Sequence, residues 1–332
     1  MTGAVGSGAQ LEHGLGAGGR FALRLPAGTV SVRAVDGETA RVRELSGRAL
    51  EDTFRITASE GGLELVAKSR FGLSIQNGSL SIGSQAAELD VQLPRATRLA
   101  IDVASADVSV AGMAGPGRFR TASGDLILTD VGAAIEFEGV SADVRIEAIA
   151  AIDLVGKTIS GDVAIRAPRL NRLEMTTTSG DVRVDADLSG KGPYAIRSIS
   201  GDATLVARGG IGVEAQTVTG DLTSALQARI ESGPGRKRLV IGKPGTMLAF
   251  KSVSGNLAVV EARDAARSAP APAAGTAPGG SAMPIFAGEP SASGDEPGPE
   301  VEDARLEILR ALERGEIDVP AAMARLAAVE EA

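Results

Sequence analysis

Eight copies of one short signature, kept in register along the chain, constrain the fold of this 332-residue protein more than any other feature. The signature reads Ser/Thr-Gly/Ala-Asp/Asn-apolar. Its third residue is Asp107, Asp125, Asp143, Asp162, Asp181, Asp202, Asp221 and Asn256. Successive intervals are 18, 18, 19, 19, 21, 19 and 35 residues. Self-similarity at such a period marks a chain of stacked equivalent units, each burying its apolar face against its neighbours.

Apolar residues keep step with the signature on both sides. Eight and six residues before it stand pairs such as Leu99/Ile101, Ile135/Phe137 and Leu173/Met175. One and three residues after it stand Val108/Val110, Val144/Ile146 and Val182/Val184. Alternation of this kind places one face of each strand inward. The inward phase is expected at minus eight, six, four and two, then at plus one and three. The odd step falls at Gly-Asp, so a corner is expected there, with Asp bonding its own local amides in an Asx turn. Length variation is confined to a second turn carrying Pro168, Gly190-Lys191-Gly192 and Gly209-Gly210. The expected fold is all-β: a β-solenoid with two short strands per coil of about 18–21 residues, plus a small C-terminal α-helical hairpin. The long last interval reads as a degenerate coil over 225–247 rather than an excursion.

Aromatic residues are scarce, with no Trp, one Tyr and seven Phe, while Gly reaches 43. A core of Val, Ile, Leu and Ala suits a narrow, regular interior. Residues 1–19, Gly-rich and holding His13, read as a disordered leader. Residues 20–98 read as strands without the signature that start and cap the stack, followed by the repeats over 99–262. Residues 263–301 turn to Ala, Pro and Gly, a linker composition. In 302–332, Leu306, Leu309 and Leu312 recur at helical spacing, Gly315 is placed to end a helix, and Ile317 follows. Asp318 and Pro320 start a second helix carrying Met323, Leu326 and Val329. A hairpin this small is not stable alone. Docking on the solenoid end, self-association or a protein partner is therefore expected, with these apolar residues as the contact.

Several function classes are disfavoured. The chain has no Cys and one His, which removes thiolate chemistry and multi-His metal sites. A net charge of −8 argues against nucleic acid; the one basic cluster, Arg236-Lys237-Arg238, reads as a solvated turn. The first 20 residues lack a signal-peptide layout and there is no apolar run of about 18, so no transmembrane segment is expected. Cytoplasmic placement is the expectation, with peripheral envelope association as the alternative. The aligned Asp residues invite calcium. Calcium-binding repeat rolls, however, supply several carbonyls and carboxylates per ion, against one Asp per coil here, with Asn256 breaking the column. The preferred reading is a structural turn ladder without a cofactor. A glycan-cleaving cleft would need paired carboxylates and aromatic platforms, and the chain is poor in the latter.

The recurring Ser-Gly-Asp-Val pattern, with the lead-in Val91-Gln92-Leu93-Pro94, resembles the bacterial putative adhesin domain, a β-solenoid family of unknown function. The segment Leu306 to Ile317 with its second helix is similar to a hairpin found beside that domain in some members. The resemblance implies surface adhesion or a link to envelope stress, and carries over no catalytic residue. Together these features point to a non-enzymatic interaction or scaffold protein tied to envelope homeostasis. The alternatives are a surface adhesin or polysaccharide-binding module, and a polymerising cytoskeleton-like scaffold.

Overall fold

The computed structural model describes residues 5–68, 72–76, 79–83, 86–208, 210–233, 236–242 and 245–261. The linker and hairpin expected over 263–332, with Leu306, Leu309, Leu312, Ile317, Met323, Leu326 and Val329, lie outside the described residues. The described chain is all-β, and its one helix is the single turn Leu50–Thr53.

Parallel pairing between coils builds the fold. Strand Arg98–Ala111 pairs with Gly117–Ser123 before the corner and with Leu126–Val131 after it. Both pairings join residues 18 apart, as in Ile101↔Phe119 and Val110↔Leu128. The same pattern carries through Ala134–Ser141 with Val144–Ala148 and onward, giving a β-solenoid-like winding. The strands do not all break at the corner: Arg20–Val35 and Arg98–Ala111 run through it.

Side-chain size is matched down the interior column. Phe119, Phe137, Gly156, Met175, Ile196 and Phe250 are inward neighbours. A Cβ at Gly156 would lie 2.4 Å from both the Phe137 ring and Met175 Sδ, so this Gly leaves room for the two large groups beside it. Each fully buried aliphatic or Phe side chain contributes about 1.5–3 kcal/mol. The interior is therefore adequate without Trp. Tyr194 is buried, its hydroxyl donating to Leu170 O at 2.8 Å.

The N-terminal end departs from the expected disorder. Val5–Ser7 and Gln10–Gly14 form an antiparallel pair, and the latter also pairs with Thr39–Glu44. Leu11 and His13 alternate inward, and His13 is only 4% exposed, its Nε2–H donating to Ser59 O at 2.8 Å. The flanking glycines hid this two-residue alternation. Arg20–Val35 pairs parallel with the Asp107 coil and, on its other edge, with Gly62–Ala67 and Ala87–Pro94. Antiparallel strands Thr39–Glu44 and Phe54–Ser59 cover those in turn.

The C-terminal end corrects the degenerate-coil expectation. Arg229–Gly233 and Arg236–Ile241 form an antiparallel hairpin, and the second of these also pairs antiparallel with Ile211–Thr217. The Arg236-Lys237-Arg238 cluster thus lies on a strand, not in a turn. After the hairpin the chain returns, and Met247–Ser252 lies between Tyr194–Arg197 and Ile211–Thr217, parallel to both. Leu257–Glu261 is likewise paired with both Ala203–Ala207 and Leu222–Ser224. The last coil in sequence is the penultimate coil in space. Leu248 and Phe250 are almost fully buried between two coils, beside the smaller Val213 and Ala215 of the outer coil, which the hairpin strand Arg236–Ile241 covers.

Candidate functional site: the corner ladder and the face beside it

The corner is built two positions earlier than the sequence phase suggests, the odd step falling between minus four and minus one. Inward residues run at minus eight, six and four, and the next inward residue is the small one at minus one: Ala106, Ala142 and Gly201 are buried, while Ser105, Ser141 and Ser200 are exposed. In five of the eight coils the minus-four position carries a buried hydroxyl, at Thr121, Thr158, Thr177, Ser198 and Ser252. Thr121, Thr158 and Thr177 donate to the carbonyls of Ser123, Ser160 and Ser179 at 2.8, 3.0 and 3.2 Å. The hydroxyl of Ser198 accepts from Gly201 N at 2.9 Å. Pure alternation did not single out these hydroxyl residues, because Thr and Ser also occupy ordinary strand positions. Gly124 has φ +101 and a Cβ there would sit 2.5 Å from Ala106 O, so this corner requires Gly for both conformation and close approach.

The signature Asp residues form an inter-coil ladder instead of local Asx turns. Asp107 Oδ1 accepts the amide of Asp125 at 3.0 Å, and Asp143 Oδ1 that of Asp162 at 2.8 Å. Asp162 accepts from Asp181 at 2.9 Å, and Asp181 from Asp202 at 3.0 Å. Asp202 then receives both the backbone and side-chain N–H groups of Asn256, at 2.8 and 3.0 Å. Asn256 Oδ1 accepts from Asp221 at 2.8 Å. At the end of the ladder Lys237 Nζ donates to Asp221 Oδ1 at 2.9 Å, replacing the amide of a further coil. Asn256 therefore continues the column inside it. Among the described residues no three of His, Asp and Glu gather as a metal cluster.

Outside the corner, one position has an uneven profile. Three residues before the Asp, Ala122 and Val140 are buried, but Ile199, Val253 and Val218 are 51, 50 and 78% exposed. They occupy three successive coils in space. Val218 N and Thr219 N both donate to Val253 O, and Ser254 N donates to Ile199 O. On the far side of Ile211–Thr217, an open groove is lined by Glu214, Glu231, Arg236, Lys237 and Arg238, with its charges largely paired: Arg229–Glu231 at 3.2 Å and Arg236–Glu214 at 4.0 Å.

The winding and the ladder define the class: an all-β protein of stacked parallel coils. The model of the Toastrack DUF4097 family matches residues 22–260, and the chain belongs to that family. No curated protein matches it. Among solved structures it is similar to a putative cell adhesion protein from Clostridium sporogenes at 10% identity and TM-score 0.21, covering 77% of this chain and 100% of that one. It is also similar to putative adhesins from Bacteroides fragilis (9%, TM-score 0.26, 75% and 95% covered) and Parabacteroides distasonis (11%, TM-score 0.26, 77% and 97% covered). No helix among the described residues is long and apolar enough to cross a membrane.

Proposed function

We propose that this protein is a non-enzymatic binding module of the surface-adhesin type, a β-solenoid that presents a partner-binding face. The observation that carries this reading is the row Ile199, Val253 and Val218, half or more exposed on adjacent coils at a position that is buried at Ala122 and Val140 and half-buried at Ala104, Ile159 and Thr178. A contiguous apolar row left open on one end of a regular fold favours a surface that a partner covers. The ladder supports the non-enzymatic part, since the carboxylates of Asp107, Asp143, Asp162 and Asp181 are engaged as acceptors of backbone N–H groups. An adhesin-type module is preferred to a polymerising scaffold. Antiparallel strands lie against both ends of the described stack, and the open edge Leu222–Ser224 is only three residues long. The test is retention of bacterial envelope fragments on beads carrying the full-length protein. I199S/V218S/V253S is expected to cut retention about tenfold with an unchanged melting curve. Equal retention would overturn the reading.

A further inference from the structure

Two residues before the exposed aliphatic row, the same outward face carries a column that runs Arg24, Asp102, Arg120, Glu138, Lys157, Thr176, Arg197, Lys251, Gln216, each in register with the next. Its first five members alternate in sign, and Arg24–Asp102 and Arg120–Glu138 pair at 3.6 and 2.9 Å. The alternation then stops. Arg197 and Lys251 are directly opposed, both exposed, with uncharged Thr176 and Gln216 in register on the flanking coils; the acids diagonal to them, Glu174 and Glu214, lie opposite Ala195 and Ala249 and pair with Arg172 and Arg236. The outward residues on either side along their own strands are Ala195 and Ala249, then Ile199 and Val253. Neither cation has an ion-pair partner among the described residues. Like charges opposed in register repel, and a chain with net charge −8 is not short of acids to separate them.

We infer that Arg197, Lys251 and the row Ile199, Val253, Val218 form one docking strip for an acidic amphipathic helix of a partner protein. The inference rests on the binding-module reading and adds the chemistry of the partner. Coils repeat about every 4.8 Å, close to the roughly 4.5 Å rise between residues i and i+3 of a helix. A helix laid across the strands therefore places successive Glu or Asp side chains over Arg197 and Lys251. Its adjoining apolar stripe lies over Ile199, Val253 and Val218. The exposed carboxylate of Asp202 lies beyond the aliphatic row, so the acidic side of the helix is directed to the cation row and its orientation is fixed. A glycan fits the strip less well: there is no Trp, and the one Tyr, Tyr194, is buried. Two adjacent cations are also few for nucleic acid.

The test uses full-length protein and fluorescence anisotropy of a labelled synthetic helix with Glu and Leu at i, i+3 and i+4 spacing, beside the same helix with Lys for Glu. The wild type is expected to bind the Glu helix and not the Lys helix. R197E/K251E should weaken the Glu helix at least about tenfold and gain the Lys helix, which also shows that the variant is folded. I199S/V253S should weaken the Glu helix with its charge preference retained. Equal binding of both helices to the wild type, or unchanged affinity in R197E/K251E, would overturn the proposal. So would binding of phosphatidylserine vesicles without binding of the Glu helix, which would make the strip a membrane contact. If the helix fails while I199S/V218S/V253S still abolishes envelope retention, the binding-module reading stands and only the partner chemistry falls.

Discussion

Asp202 and Asn256 are 54 residues apart in sequence and adjacent in space, the Asp202 carboxylate receiving both the amide and the side-chain N–H of Asn256. That junction joins the return strands of the last coil to the body of the stack. Its two hydrogen bonds to a charged acceptor contribute more than neutral ones would.

Replacing this acceptor measures the ladder. Asp202→Ala leaves two donors without their partner and is expected to lower stability by about 1–3 kcal/mol in urea unfolding. Asp202→Asn should lose less than half of that, because an amide oxygen can accept the same bond, as Asn256 does from Asp221. Equal losses in the two variants would mean that charge, not acceptance, holds the junction.

The glycine column makes a steric prediction. A Cβ at Gly201 would lie 2.0 Å from Gly180 O, so Gly201→Ala must push two coils apart. A loss of at least about 2 kcal/mol is expected. Gly18→Ala, with nothing within 4 Å of the added carbon, should change stability by less than about 0.5 kcal/mol.

Calcium should leave the melting temperature where chelator leaves it. The carboxylates of Asp107, Asp143, Asp162, Asp181 and Asp202 already accept an N–H through Oδ1, which leaves them poorly placed to surround an ion together. A rise in melting temperature with calcium would contradict this.

Acid should loosen the N-terminal end through Glu44. Burial alone raises its pKa, but hydrogen bonds from Ser46 and the Arg48 backbone, together with the Arg48 guanidinium, outweigh burial and hold the carboxyl below its ordinary value of 4.5. Because the folded pKa is depressed, the stabilisation is present above the unfolded value and is lost as pH falls through the folded one. Glu44→Gln should therefore lower the urea midpoint at neutral pH. Its stability should also fall less steeply than that of the wild type below about pH 4.5.

The sequence made the coil legible because period and alternation are local. Val108, Leu126 and Val144 stand at one position of successive repeats and meet in space. What it did not reveal is which coil follows which. Asp202, Asn256 and Asp221 carry the same signature, and either order satisfies it. The inserted order comes with a hairpin at 229–241 that pairs with Ile211–Thr217, which the repeat does not encode. The corner was misplaced for a related reason, since a buried Thr at minus four looks like any strand Thr until its hydroxyl is seen to donate across the turn. The exposed row was missed because cover at this position differs between coils, buried at Ala122 and Val140 but open at Ile199, Val253 and Val218, which period and alternation do not encode.

The most direct test of the account is cross-linking in a chain that has no native Cys. Ala258 is the in-register partner of both Thr204 and Thr223, which places Thr204 and Thr223 two coils apart. Opposed residues on adjacent coils lie within disulfide reach, about 4.4–6.8 Å between Cα atoms, and residues two coils apart do not. T204C/A258C should therefore form a disulfide under mild oxidation while T204C/T223C stays reduced. Rapid closure of T204C/T223C, with T204C/A258C left open, would show that the coils stack in sequence order and would contradict the inserted last coil.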